Sequence, residues 1–180
     1  MHTYISILRG INVGGHRKIL MADLKKMYDQ LGFNNIQTYI QSGNVIFETN
    51  KKQKREELEE LFEENIKKNF GYDVQVIIRT KEEWMRLVEE NPFLKEFELE
   101  NLSVSFLSAV PDIELVKLLL QNNFLPDRIS IVGKHAYIYC EGKYHLSPLT
   151  NHLIEKKLKL KASARNWKTV LKLHDLILKY

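Results

Sequence analysis

Apolar residues recur along the chain with two periods, and the switching between them predicts the order of elements. Tyr4-Ile5-Ser6-Ile7-Leu8 is short, apolar and partly β-branched, which predicts a first strand running into a glycine-punctuated loop from Gly10 to Gly15. Met21, Leu24, Met27, Tyr28 and Leu31 then return at helical spacing, and Gly32 stands where a helix stop needs positive φ. Strands over 36–41 and 45–49 flank Ser42-Gly43-Asn44, whose Gly and Asn tolerate the backbone of a tight hairpin. Leu58, Leu61, Phe62, Ile66 and Phe70 form one apolar helical stripe ahead of the strand Val74-Gln75-Val76-Ile77-Ile78, and the acidic run from Glu56 to Glu64 reads as that helix's solvated face. The order βαββαβ in under 80 residues is the split βαβ, or ferredoxin-like, unit.

The second half repeats this grammar. A helix with Thr80 as N-cap and Glu83 as its capping-box partner buries Trp84, Leu87 and Val88, and Asn91-Pro92 ends it. A strand over 102–107, a helix over 112–120, strands over 128–132 and 136–140 and a helix opened by Ser147-Pro148 follow. In place of an obvious last strand stands a terminal helix, from about Asn166 to Leu178. The expected fold class is α+β: two ferredoxin-like lobes in tandem, over 1–79 and 102–180, joined by a helix and linker over 80–101, with the second lobe modified by its C-terminal helix.

Composition narrows the class without changing this picture. With 44% hydrophobic and 28% charged residues the 180-residue chain is too apolar to be disordered. No apolar run approaches the roughly 20 residues of a membrane helix, and the first residues lack a basic n-region, so a cytoplasmic protein with no membrane association is expected. The single cysteine, Cys140, fits a reducing compartment and forbids an intramolecular disulfide. The net charge of +4 is uneven: residues 142–180 carry nine Lys or Arg against only Glu155 and Asp175. That excess either attracts anions or is a solvated helix face.

Several polar groups carry candidate chemistry. Arg9-Gly10-Ile11-Asn12-Val13-Gly14-Gly15-His16-Arg17-Lys18 lies between a strand and a helix, where its amides could face an anion or its glycines merely allow a bend. It has neither the Walker nor the dinucleotide glycine spacing. Gln41-Ser42-Gly43-Asn44 offers three hydrogen-bonding side chains at a hairpin tip, either for a ligand or for its own turn, and Ser42 lacks a nucleophile elbow. Ser163-Ala164-Arg165-Asn166-Trp167-Lys168-Thr169 sits at an expected helix N-terminus, which favours an anion, while Arg165 could equally hold an interface and Trp167 fill the core. The six histidines show no i, i+4 pair, so no metal is expected. Tyr137 and Tyr139 share a strand face and could stack bases, but the first lobe lacks the aromatic signature of RNA-recognition modules.

Four strings, Arg9 to Gly15, Met21-Ala22-Asp23-Leu24, Thr38 to Val45 and Ala164 to Val170, together resemble a bacterial family known as domain of unknown function 1697, over nearly the whole chain. The resemblance implies the same two-lobed α+β architecture. It marks Arg9, Asn12, Gly14, Gln41, Ser42, Asn44, Arg165, Asn166 and Trp167 as characteristic residues and brings no activity or cofactor. These residues are rich in donors and acceptors and nearly free of carboxylates. The expectation is therefore a binding protein, holding an anionic small molecule, a nucleotide or a nucleic-acid segment near the lobe junction. Two alternatives stand beside it. One is an enzyme on a phosphorylated or nucleotide-like substrate, with Arg165 as electrostatic stabiliser and Ser42 or a histidine moving protons; the other is a structural or interaction role in which the strings fasten the lobes.

Overall fold

The computed structural model describes all 180 residues. Eight strands and six helices follow one another as β1 (His2–Leu8), α1 (Met21–Gln30), β2 (Asn34–Tyr39), β3 (Asn44–Thr49), α2 (Arg55–Phe70), β4 (Val76–Thr80), α3 (Lys81–Glu89), β5 (Leu102–Leu107), α4 (Ile113–Leu120), β6 (Arg128–Val132), β7 (His135–Tyr139), α5 (Asn151–Leu158), β8 (Ala162–Asn166) and α6 (Trp167–Ile177). The chain divides into two compact units, Met1–Met85 with Asp175–Tyr180, and Arg86–His174. The first holds a sheet of order β2-β3-β1-β4 and the second a sheet of order β6-β7-β5-β8, with antiparallel neighbours throughout. The ferredoxin-like α+β reading thus holds in both halves.

In the first unit the helix-facing side of the sheet is built on aromatic rings. Tyr28 of α1 stacks on Phe62 of α2 at 4.1 Å between centroids, and Phe47 of β3 meets Tyr28 and Phe62 edge-on. The one polar pair in this core is satisfied: Ser6 Oγ and Tyr28 Oη lie 2.7 Å apart, and burial pushes the phenol's pKa well above its ordinary value. Gly32 (φ +84°) takes the left-handed conformation beyond α1, where a side chain would be strained. β3 and β5 are buried along their whole length, so the sheet faces away from these helices, Ile5, Ile7, Ile46 and Ile77 in the first unit and Val104 and Phe106 in the second, are also shielded from water.

Three sequence expectations need correction. The second unit does have a final strand, β8, which the Ala-Ser-Ala-Arg-Asn string concealed because it contains no β-branched residue; its pairing with β5 creates it. The helix expected from Ser147-Pro148 starts at Asn151, capped by the Thr150 side chain, because Ser147 instead donates to buried Asp127 and accepts from the Leu149 amide. Finally, the acidic run of α2 is not wholly solvated. Glu63 accepts from the Val76 amide at 2.9 Å and Glu59 from the Ile78 amide at 2.8 Å, so two carboxylates occupy donors that edge strand β4 would otherwise expose. Glu155 does the same for Ala162 of β8 at 2.9 Å. The Thr80–Glu83 capping box forms as expected, with both reciprocal bonds made. No helix is long and apolar enough to cross a membrane.

Candidate functional site

The glycine loop after β1 and the β2–β3 hairpin tip are joined into one surface by Asn12. Its backbone is left-handed (φ +55°), a conformation Asn tolerates, and this turns the carboxamide inward. Nδ2 donates to the carbonyls of Ile19 at 2.9 Å and Gln41 at 2.8 Å, while Oδ1 accepts from the Ile19 amide at 2.9 Å. One side chain thereby closes the loop on itself and ties it to the hairpin. The Leu8 amide donates to Gly43 O at 2.8 Å, and Gly43 is packed so closely that a Cβ there would come within 2.7 Å of Leu8 Cβ. Buried Asn44 completes the turn, donating to Tyr39 O at 3.0 Å and to Ser42 Oγ at 3.1 Å.

The structure therefore brings together six of the predicted residues, Arg9, Asn12, Gly14, Gln41, Ser42 and Asn44, and gives them different work. Asn12 and Asn44 spend their side chains holding the backbone. Gly14 and Gln41 are exposed, and Arg9 and Ser42 are half-buried. Around them stand His16, Arg17 and Lys18, all exposed, and no carboxylate occurs between residues 9 and 20. Arg17 and Lys18 take part in no salt bridge. Sequence reasoning quoted these two cations but did not place them among the site residues; their position in a loop lacking any acidic residue was the available signal.

Arg165, Asn166 and Trp167 belong to the other unit. Arg165 is buried, with Nη1 donating to Ser163 Oγ at 3.1 Å and Ala164 O at 2.8 Å, and burial pushes its pKa down to about 10. Asn166 caps α6, its Oδ1 accepting from the Thr169 amide at 2.8 Å. Trp167 is fully buried and meets Tyr137 edge-on at 6.3 Å. Base stacking on Tyr137 and Tyr139 is not open: Tyr137 is buried with its hydroxyl on Leu87 O at 2.9 Å, and Tyr139 already stacks on Phe97 at 3.7 Å. No three metal-ligating side chains come together. An open cleft of about 880 Å³ in the first unit, lined by Lys25, Asp29, Gln37, Glu48 and Tyr180 among others, contains none of the predicted residues.

A family model described as "Protein of unknown function (DUF1697)" matches residues 1–137, which include the loop and the hairpin. The chain belongs to the DUF1697 family. Among solved structures it is similar to the conserved bacterial protein SP0830 from Streptococcus pneumoniae, with 20% identity, a TM-score of 0.78 and 98% of each chain covered. At that identity the likeness speaks for the fold alone. No curated protein matches the chain. Within this DUF1697 protein, Arg165 to Trp167 lie beyond the residues the family model covers.

Proposed function

We propose that this DUF1697 protein is a binding protein for an anionic ligand, engaged by the loop over residues 9–18 and the hairpin tip at Gln41 and Ser42. The observation that carries this reading is the Asn12 clamp, which organises a loop bearing Arg9, His16, Arg17 and Lys18 and no carboxylate. Left-handed Gly10, Gly14 and Gly15 bend the backbone so that its amides can approach an anion, as in phosphate-binding nests. Arg9, Gly14, Gln41 and Ser42, with Arg17 and Lys18, contact the ligand; Asn12 and Asn44 position them. Arg165, Asn166 and Trp167 serve their own unit by bonding β8, capping α6 and filling the core. The loop supplies no carboxylate or thiol, and its one imidazole, His16, is exposed with no carboxylate in the loop to orient it, which favours binding over catalysis.

The test is thermal unfolding and calorimetric titration with inorganic phosphate, nucleotides, sugar phosphates and short RNA and DNA oligomers. A ligand at 100 times its Kd adds about 2.7 kcal/mol to native stability. A stabilising anion whose effect vanishes in the Arg17→Ala/Lys18→Ala double variant supports the reading and identifies the ligand class. An oligomer effect that fades steeply with salt specifies nucleic acid. If no anion stabilises the protein, or if the double variant responds like the native chain, the loop is not the site.

A further inference from the structure

The two units differ at the position of Tyr4, and a cavity lies beside its counterpart in the second unit. In the first unit Tyr4 pairs with Phe47 on one side and with Thr80, the last residue of β4 and the N-cap of α3, on the other. In the second, Ser103 pairs with Ile138 and with Asn166, the last residue of β8 and the cap of α6. Ser103 is thus the counterpart of Tyr4. The Tyr4 ring stacks on Phe47 at 5.6 Å and fills its layer. Ser103 has no such ring, and beside it the second unit has a cavity of about 290 Å³, lined by Glu100, Asn101, Ser103, Cys140, Tyr144, Arg165 and Asn166 among others, the Arg165 guanidinium being bonded to Ser163 Oγ and Ala164 O.

The cavity is lined mostly by apolar surface, yet it holds buried polar groups that a void left by imperfect packing would lack. Ser103 is 6% exposed and its Oγ has no hydrogen-bond partner, whereas Ser105, two residues on along the same face, donates to Asn151 Oδ1 at 2.8 Å. A buried hydroxyl left unpaired is unfavourable and asks for a partner. The Asn101 carboxamide brings a donor and an acceptor, Asn166 brings its Nδ2 donor while its Oδ1 caps α6, and the Tyr144 ring, 38% exposed, offers a face for stacking. Burial raises the pKa of Cys140, so that lining group is an uncharged thiol. The volume sits at the low end of small-molecule pockets.

We propose that the cavity beside Ser103 binds a small, uncharged, planar heterocycle of the nucleobase class, with its hydrogen-bonding edge on Ser103 and the carboxamides and its ring against Tyr144. This site lies in a different unit from the anion-binding loop and takes a ligand of different charge, so the two succeed or fail separately.

The experiment is calorimetric and saturation-transfer NMR titration of the full chain with adenine, cytosine and uracil at millimolar concentration, with benzene as the apolar control. One base is expected to bind and benzene is not. Ser103→Tyr, which restores the ring present in the first unit, is expected to abolish binding; Ser103→Ala and Tyr144→Ala are each expected to weaken it by about tenfold. The Arg17→Ala/Lys18→Ala variant should bind the base as the native chain does. The proposal is overturned if no base binds, if benzene binds equally well, or if binding survives in folded Ser103→Tyr. Should Ser103→Tyr fail to fold, unchanged affinity in both Ser103→Ala and Tyr144→Ala overturns it instead.

Discussion

Arg79 and Arg165 occupy the same place in the two units. Each is the next-to-last residue of the fourth strand of its sheet, paired with Ile5 and Val104 respectively, and each precedes the residue that caps the following helix. Both side chains are buried, and both donate through Nη1 to the carbonyl just before them, Ile78 O at 2.9 Å and Ala164 O at 2.8 Å. Burial pushes each guanidinium down to about 10, an effect that Glu83 and Glu59 oppose at Arg79. A repeated buried cation on the sheet face away from the helices is a feature of the repeat itself, carried by both copies of one βαββαβα unit.

Both arginines are accordingly expected to be required for stability. Arg79→Met and Arg165→Met should each cost about 2–4 kcal/mol by urea unfolding, since each orphans buried acceptors. Lysine should not rescue either position, because an ammonium cannot reproduce the planar fork. An Arg→Lys variant as stable as the native protein would contradict this account.

Gly43 and Gly71 separate conformational strain from crowding. Both have positive φ, +79° and +77°. A Cβ on Gly43 would lie 2.7 Å from Leu8 Cβ and 2.8 Å from Ile11 Cδ1, whereas one on Gly71 would meet nothing within 4 Å. Gly71→Ala should therefore cost about 1 kcal/mol, the left-handed penalty alone. Gly43→Ala should cost about 3 kcal/mol, because overpacking adds to it. Equal costs in chemical denaturation would show that the hairpin tip can move away from the loop.

The repeat was legible in the sequence because its punctuation is local. Gly32 stops α1, Ser42-Gly43-Asn44 turns the hairpin, and Thr80 with Glu83 opens α3, each through bonds within a few residues. β8 was not legible, because Ala162 to Asn166 has no strand pattern of its own and takes its conformation from β5 and from Glu155. The site divides in the same way. That the glycine loop and the hairpin tip meet follows from β1 and β3 being neighbours, but the side-chain bonds that make Asn12 a clamp depend on its left-handed backbone, which no spacing reveals. Ser103 carried no signal at all: it is one serine in an apolar strand until its counterpart Tyr4 is set beside it.

Alkaline pH should unfold the protein through its buried tyrosines. Burial raises the pKa of Tyr28, and to a smaller extent Ser6 opposes this; burial also raises Tyr137. The unfolded phenols ionise near an ordinary value of about 10. Above that pH the native state holds more protons than the unfolded one, so this stability is complete below about pH 10 and is lost as pH rises further. Tyrosinate absorbance from Tyr28 and Tyr137 should accordingly appear only with cooperative loss of circular dichroism. Tyr28→Phe should cost about 1 kcal/mol at neutral pH, through the lost Ser6 bond, and move the alkaline midpoint upward. Complete titration of all tyrosines in a still-folded protein would refute the assignment.

Asn12 provides the sharpest test of the loop as a built surface. Asn12→Ala removes three side-chain hydrogen bonds and leaves a Cβ at φ +55°, so it should cost about 2–3 kcal/mol. Asn12→Gly removes the same bonds but relieves the backbone, and should be about 1 kcal/mol more stable than Asn12→Ala. Both should speed hydrogen exchange at the Ile19 amide, which in the native protein donates to Asn12 Oδ1. If the loop binds an anion as proposed, Asn12→Gly should raise its Kd by about tenfold without removing any group that touches the ligand, since ordering the loop would then have to occur on binding. Loss of Ile19 protection with an unchanged Kd would mean that the clamp stabilises the fold but does not shape the binding surface; unchanged Ile19 protection would mean that the loop is held by something other than Asn12.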